Sequence, residues 1–473
     1  MGFSVGVSSA RRREPASPGN NDRSTGVDLS GSTRAGGDLA AVRGSSTFAS
    51  LSVPNFRTYV SGALVSNVGT WVQRVAQDWL VLQLSGGSAM AVGITTALQF
   101  APALFLSPFG GLLADRFDKR KLLMVTQSWM AISSLILGFL AVAGVAETAH
   151  VYIFAIVFGM GTAIDAPARQ AFVSEMVGTE RLTNAIGLNS SAFNVARLIG
   201  PGVAGLIIAV FGSGWAILTN GVSYVAFLIA LVLLNEKKLV RTEPLPRAKG
   251  QVREGIRYVV GRADLLIALG VAFAVGTFGL NFQMTNALMV RNEFHLDAEM
   301  YGLLGTVSGI GSLLGALLAA RRKSTPSLRF VVVAALVFAV VNVISGLAPT
   351  ALLYGLVLPL VGLSALLALT AANMYVQMNV DAQVRGRVMA LYMTMLMGGT
   401  PIGAPMLGAF AEWFGPRASL VGGGVLQVLV IAAVLVWVVS RVRRGRSEGI
   451  SGLPADSRFG MFAAGPTRSV AHR

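Results

Sequence analysis

The chain has 473 residues, of which 53% are hydrophobic and only 13% are charged, and its mean hydropathy is +0.65. Soluble domains carry about 25% charged residues, so this composition excludes a large soluble globule. A net charge of +16 would indicate nucleic-acid binding in a soluble protein. Here the charges lie between long apolar runs, which predicts a lipid-embedded protein with no nucleic-acid partner. The absence of cysteine excludes disulfides and thiol chemistry.

Twelve apolar runs follow a polar first segment. Residues 1–50 are rich in Gly, Ser and Arg, and they predict a disordered basic tail in the cytoplasm without a cleavable signal peptide. Each later run is long enough to cross a bilayer as a helix. A second disordered cytoplasmic tail is predicted for 441–473. The runs are 57–84, 89–113, 122–146, 151–173, 184–211, 215–235, 264–290, 299–320, 328–348, 351–377, 387–413 and 417–440.

Lysine and arginine are concentrated on one side of this layout. With the N-terminus in the cytoplasm, 34 of the 38 lie on the cytoplasmic side. The other four are Arg291 and Arg417 on the opposite side, and Arg74 and Arg197 inside runs. The positive-inside rule therefore predicts a multi-pass protein of the bacterial inner (cytoplasmic) membrane with both termini in the cytoplasm.

The connector at 236–262 divides the runs into two sets of six, at 51–235 and 263–440. Short patterns recur between the sets at offsets of about 203 residues. Duplicated six-helix bundles with a site between them are the organisation of alternating-access carriers. The pattern Gly200-x4-Gly205-x5-Phe211-Gly212 recurs as Gly403-x4-Gly408-x5-Phe414-Gly415, and Gly111-Leu112-Leu113-Ala114 recurs as Gly315-Ala316-Leu317-Leu318.

The charged turn after the second run, from Gly111 to Arg120, resembles the signature loop of the major facilitator superfamily, with Asp118 where that family has glycine. The resemblance implies an all-α fold of twelve transmembrane helices in two pseudo-symmetric six-helix bundles. It also implies that Asp115 locks against the start of the eleventh helix, and Ala319 in the second half makes this lock one-sided. The simpler reading of Asp118 and Lys121 is a solvated turn that only fixes topology. The predicted gate comprises Asp115, Arg116, Lys119, Arg120, Arg169, Glu175, Arg385 and Arg387.

The fifth run resembles a motif that is characteristic of exporters in this superfamily. Small residues on one helix face permit close approach of a neighbouring helix, and proline bends a helix. A packing seam is therefore the alternative reading, and both can hold together. Three further stretches, 67–74, 165–172 and 385–389, resemble the branch that contains the enterobactin exporter and macrolide efflux proteins. The motif residues are Gly187, Ala196, Gly200, Pro201, Ala204 and Gly205.

Ionisable side chains inside the apolar runs are candidates for function, because they are costly in lipid. Asn67, Trp71, Arg74 and Asp78 lie on one helix face. Asp78 is the candidate proton-coupling residue, although Arg74 and Asp78 could instead neutralise each other. Arg197 needs an acceptor or a wet cavity, and Asp78 or Asp165 is the expected partner.

In the fourth run, Asp165 and Arg169 are predicted to form an inner gate or a structural pair, and Glu175 is predicted to engage the basic turn. Other polar residues could line a central cavity, together with methionines, for which ordinary packing is the favoured interpretation. The predicted cavity residues are Asn67, Trp71, Gln99, Asn281, Gln283, Asn373, Gln377 and Met393.

Several motifs are absent from the sequence. There is no phosphate-binding loop for ATP, no cluster of metal ligands and no catalytic constellation, so we expect no cofactor, no metal and no enzymatic activity. We predict a monomeric secondary transporter that exports a small, largely apolar compound (a drug, macrolide or siderophore) in exchange for protons. The alternatives are a facilitator or proton symporter that imports a metabolite, and a scaffold or sensor that transports nothing.

Overall fold

The computed structural model describes residues 48–240, 251–322, 324–381 and 383–447, and in these residues regular structure is helical throughout, with no β-strand. We number the long helices in chain order. The first half comprises α1 Pro54–Leu84, α2 Ala89–Arg116, α3 Lys119–Val142, α4 Thr148–Gly178, α5 Arg181–Phe211 and α6 Ser213–Val232. The second half comprises α7 Ala263–Glu293, α8 Ala298–Ala320, α9 Leu328–Gly346, α10 Ala351–Asn379, α11a Arg385–Gly398, α11b Thr400–Phe414 and α12 Pro416–Ser447.

Ten helices in the described residues are long and apolar enough to cross a membrane, which confirms an all-α membrane protein. The other two predicted spans fail this criterion for different reasons. Helix α1 has 31 residues, but polar and charged side chains lower its hydropathy. Helix α11 is divided near Gly399 and Pro401 into segments of 14 and 15 residues. The count of twelve crossings therefore stays a prediction.

Two recurring glycines end corresponding helices in the same backbone conformation. Gly212 after α5 has φ 89° and ψ 167°, and Gly415 after α11b has φ 87° and ψ 164°. Glycine occupies this region readily, whereas L-residues with a Cβ rarely do. The repeated Phe-Gly pattern thus marks the same turn in both halves.

The same repeat places helix crossings between the halves in equivalent positions. A Cβ on Gly205 of α5 would lie 2.9 Å from the carbonyl oxygen of Ala298, at the start of α8. A Cβ on Gly408 of α11b would lie 2.9 Å from the carbonyl oxygen of Ala89, at the start of α2. Glycine at both sites lets the helix backbones touch, which supports a pseudo-symmetric arrangement of α5–α8 and α11–α2.

Buried apolar side chains join the two halves at one end of the molecule. We call the end with the α2–α3 turn (115–121) the basic end, and the end with the α1–α2 turn (85–88) the far end. One buried cluster at the far end combines both halves, from Val72 to Leu420. Two further clusters lie at the basic end. Among the described residues, one contains only residues of the first half, and the other contains residues of the second half together with Val259 of the linker helix. The halves are therefore packed together at the far end and have separate cores at the basic end.

Several boundaries differ from the sequence prediction. Helix α12 continues to Ser447 instead of ending at 440, because a basic helix end is stabilised by the helix dipole. Ser50, predicted to be in a disordered tail, is buried and its N–H donates to Asn184 Oδ1 at 2.9 Å. The predicted connector contains a helix, Gln251–Val260, which we call the linker helix. The predictions for 1–47 and 448–473, and for 241–250, lie outside the described residues.

Candidate transport site between the halves

Asp78 lies where α1 meets the second half. Its carboxylate is buried, with 3% relative exposure. The hydroxyl of Tyr301 on α8 is 3.4 Å from Asp78 Oδ2 and 3.1 Å from the Gln283 carbonyl oxygen. Its single hydrogen can serve either acceptor. The ring of Tyr301 also stacks on Trp79 at 5.8 Å. Asp78 is therefore positioned by a residue of the opposite half.

Arg74 and Asp78 do not form a salt bridge in this structure, although their charges are close enough to interact. Within the described residues, no carboxylate oxygen lies within 4 Å of the Arg74 guanidinium, and its buried Nε has no acceptor. The guanidinium carbon lies instead 5.2 Å from the centroid of Trp71 and 5.1 Å from that of Phe100. The guanidinium is therefore in contact with ring faces and not with a carboxylate.

Arg197 has neither of its expected partners. It is half-buried in α5, and no carboxylate in the described parts of the chain is within ion-pair distance of it. Asp165 is already bonded to other groups, and Asp78 faces Tyr301. The expected ion pair of Arg197 with either carboxylate is therefore wrong.

Asp165 is the centre of a network at the basic end of the first half. Its Oδ1 accepts from Thr126 Oγ1 at 2.9 Å and from Gln127 Nε2 at 2.7 Å. Its Oδ2 is 2.5 Å from Arg169 Nε. Arg169 also donates to Ser66 Oγ at 3.2 Å. The carboxylate thus links α3, α4 and, through Arg169, α1.

The basic turn is held by two carboxylates, one from α4 and one from the start of the connector. Lys119 pairs with Glu175 at 2.6 Å, as the sequence predicted. Arg120 pairs with Glu236 and donates to the Leu231 carbonyl at 2.7 Å. Asp118 caps α3 by accepting from the N–H of Lys121 at 3.0 Å. Arg116 is exposed in the last turn of α2, where positive charge is favourable.

The start of α11 is bonded to the linker helix and to the end of α10. Arg387 pairs with Glu254 of the linker helix at 2.5 Å, and Arg385 donates to the Val380 carbonyl at 3.4 Å. The resemblance implied that this region meets Asp115 of α2. In the present conformation these arginines bond to the linker helix and to the end of α10. The lock with Asp115 stays a prediction.

The α5 motif packs against two different helices. A Cβ on Gly200 would lie 2.4 Å from Trp71 Cβ of α1. On the neighbouring face of α5, Pro201 packs against Gly302 and Gly305 of α8. Gly205 packs against the same part of α8. Ala196 and Ala204 are fully buried, whereas nothing lies within 4 Å of a Cβ built on Gly187. The close-packed seam therefore runs from Ala196 to Gly205 and does not include Gly187.

The predicted cavity residues differ in their surroundings. Gln99 and Asn281 are buried, and Gln99 Nε2, Asn281 Oδ1 and Gln283 Nε2 have no hydrogen-bond partner among the described residues. Asn281 lies where α7 is interrupted after a π-helical turn, Val275–Gly279. Such turns often occur at functional sites. The remaining members are half-buried (Asn67, Trp71, Asn373) or exposed (Gln377, Met393), and Gln377 donates to Asn373 at 2.6 Å.

Comparison with known proteins shows the family. A model of the transmembrane secretion effector family, a group within the major facilitator superfamily (MFS), matches residues 45–455. The chain belongs to this family. It is therefore a membrane transporter, as the charged turn and the α5 motif indicated.

Three relatives show the range of the family. The chain is 24% identical to the staphyloferrin A transporter of Staphylococcus aureus (84% of this chain, 99% of the relative) and 27% identical to the multidrug efflux pump Tap of Mycolicibacterium fortuitum (80% and 93%). It is 23% identical to the enterobactin exporter EntS of Escherichia coli (83% and 94%). A bacterial homolog of the lysosomal transporter Spinster shares the fold, with a TM-score of 0.64 at 15% identity over 82% of this chain and 98% of that chain.

Two residues of this MFS transporter were missed by sequence reasoning. Tyr301 was overlooked because a tyrosine near a helix start is common at membrane interfaces. Glu412 in α11b is a carboxylate inside an apolar run, which was a sufficient signal. Its Oε2 accepts from the N–H of Ala89 at 2.7 Å and of Met90 at 3.1 Å, at the start of α2. Ser88 Oγ donates to the same oxygen at 3.3 Å.

Proposed function

We propose that this transporter exports a small, largely apolar compound across the cytoplasmic membrane by alternating access, in exchange for protons. The names of two relatives, a multidrug efflux pump and an enterobactin exporter, support export. The small-residue seam of α5 supports the same direction. A drug, a macrolide or a siderophore is the proposed kind of cargo.

The domain organisation follows from the same proposal. Residues 51–235 and 263–440 act as two six-helix bundles, joined by 236–262, and a monomer is sufficient for transport. The basic end faces the cytoplasm, with both termini on that side, because lysine and arginine are retained there. The separate cores at the basic end then describe a state closed to the outside.

The observation that carries proton exchange is the contact of Asp78 with Tyr301. A buried carboxylate in a membrane helix is a candidate for proton uptake and release. Charged Asp78 accepts a hydrogen bond from the opposite half, and a protonated Asp78 loses the charge that strengthens this bond. Protonation at this position thus changes the free energy of closing the far end.

The test uses inverted membrane vesicles with an acidified lumen. Adding a macrolide or enterobactin should release protons from the lumen, read as dequenching of a pH-sensitive dye, and Asp78→Asn should abolish the signal. Glu299→Gln, an acidic position in the first turn of α8, is the control and should retain it. Substrate accumulation in whole cells would instead indicate an importer. A chain that moves no compound would refute transport.

A further inference from the structure

The first half contains two arginines inside its membrane helices without a carboxylate partner. Asp165 is bonded to Arg169, and Asp78 to Tyr301. Arg74 and Arg197 have no carboxylate oxygen within 4 Å in the described residues. An arginine in a membrane helix is costly unless an anion or water compensates its charge. Arg197 therefore has no compensating carboxylate among the described residues, and Arg74 has Asp78 only beyond salt-bridge distance.

Trp71 contacts Arg74 and also the helix that carries Arg197. The guanidinium of Arg74 lies over its ring at 5.2 Å. On the other side, the ring of Phe193 contacts Trp71 at 6.0 Å, and Gly200 packs on its Cβ. Phe193, Arg197 and Gly200 are spaced i, i+4 and i+7, so they share one face of α5. Arg197 is thus on the helix face that contacts Trp71.

This cluster faces the space between the halves. Asp78, one turn along α1 from Arg74, reaches Tyr301 of the second half. Residues four apart share a helix face, so Arg74 lies on the face of α1 that carries Asp78. The buried Arg74 Nε has no acceptor, and Trp71 is only half-buried. A ligand between the halves can therefore meet both an indole face and the unpaired Nε–H donor of Arg74.

We propose that Arg74 and Arg197 bind an anionic group of the transported compound, while Trp71, Phe100 and Phe193 contact its apolar part. The planar guanidinium fork matches carboxylates and other oxyanions in two-point hydrogen bonds. The rings offer an apolar surface of the size of an aromatic or macrocyclic body. The cargo class is thus an amphipathic anion. This inference rests on the proposed function and specifies its substrate.

The test measures equilibrium binding of labelled salicylate to the purified full chain in phosphatidylcholine nanodiscs, with enterobactin as a competitor. Salicylamide, which has the same ring without the carboxylate, is the neutral comparison. Arg74→Gln and Arg197→Gln should each weaken salicylate binding by roughly 10- to 100-fold, the range expected for one charged hydrogen bond. Neither should change salicylamide binding, and Arg197→Lys should recover part of the affinity.

Arg291→Gln is the matched control, because Arg291 also lies over a tryptophan, Trp79, but at the far end. It should bind salicylate as the wild type does. Equal binding of salicylate and salicylamide by the wild type, or unchanged salicylate binding in both Gln variants, would overturn the proposal. Loss of salicylate binding when phosphatidylglycerol is added would assign the site to a lipid headgroup. That result would also overturn the proposal.

Binding in this assay needs neither transport nor a proton gradient. A chain that binds salicylate through both arginines but moves nothing in vesicles refutes the proposed export and keeps the site. A chain that exports a neutral macrolide and binds salicylate and salicylamide equally would support the proposed export and refute the anion site.

Discussion

At Asp165, a single carboxylate accepts hydrogen bonds from Thr126, Gln127 and Arg169. All four side chains are buried or nearly so. Removing one member of a buried ion pair leaves the other charge uncompensated, whereas replacing the whole pair by apolar groups can be close to neutral. The network is therefore first a structural one, and its part in gating can be separated from its part in stability.

We expect Asp165→Ala to lower the free energy of unfolding by about 3–5 kcal/mol, because Arg169 stays buried with its charge uncompensated. Thr126→Val, which removes one neutral donor, should cost about 1 kcal/mol. Melting temperatures of the purified protein measure both. The double change Asp165→Leu with Arg169→Met should recover most of the loss. A double variant no more stable than Asp165→Ala would contradict this account.

Among the elements, α5 and α8 cross more closely than side chains would permit. A Cβ on Gly302 would lie 2.4 Å from the carbonyl oxygen of Pro201 and 2.7 Å from Gly205 Cα. Both neighbours are backbone atoms, so they cannot turn away as a side chain could. The crossing is possible only while the backbones lie against each other.

Gly302→Ala should therefore force α5 and α8 apart and destabilise the closed far end by about 1–3 kcal/mol, the range for overpacking. Gly187→Ala is the control on the same α5 motif, since nothing lies within 4 Å of its Cβ. It should be neutral or slightly stabilising. Melting temperatures distinguish them, and an equal drop in both variants would argue against the crossing as the cause.

At the scale of the whole molecule, a carboxylate of one half caps a helix of the other. Glu412, at the end of α11b, accepts from two backbone N–H groups at the start of α2. Negative charge at a helix N-terminus is favourable. Because α2 and α11 run in opposite directions, the family resemblance places the mirrored arrangement at the basic end, with Asp115 of α2 at the start of α11. The two carboxylates would stabilise opposite access states.

We expect Glu412→Ala to shift the equilibrium towards opening of the far end by roughly five-fold, the effect of losing an N-cap worth about 1 kcal/mol. Spin labels on Ala149→Cys and Leu352→Cys, at the starts of α4 and α10, report the far-end distance. The chain has no cysteine of its own, so labelling is specific. Glu293→Ala, which removes a pair with Arg417 inside the second half, should leave the distance distribution unchanged. No longer-distance population in Glu412→Ala would contradict the cap.

The fold was predictable because lipid imposes a simple pattern on the sequence. Run length, charge asymmetry and the Phe-Gly repeat at Gly212 and Gly415 are local signals, and the structure places helices where they occur. The failures concern pairings across the bundle. Arg74 lies at the predicted spacing from Asp78, yet its guanidinium contacts the ring of Phe100 on α2 instead of forming a salt bridge. Helical spacing cannot reveal such a neighbour. The partner of Tyr301 lies more than 200 residues away. Glu412, by contrast, could have been found from its position inside an apolar run.

The arrangement of the buried cores has a consequence for biosynthesis. The first half can complete its basic-end core, from Phe56 to Leu234, before any of the second half has been made. Leu80 and Val92 share a core with Met284 and Leu304. Their side chains therefore stay exposed to lipid until the helices that carry Met284 and Leu304 are inserted. Maturation of this protein therefore ends with the joining of the surface that separates in the proposed transport cycle. Under that proposal, a substitution that weakens this surface affects both the yield of finished protein and its turnover.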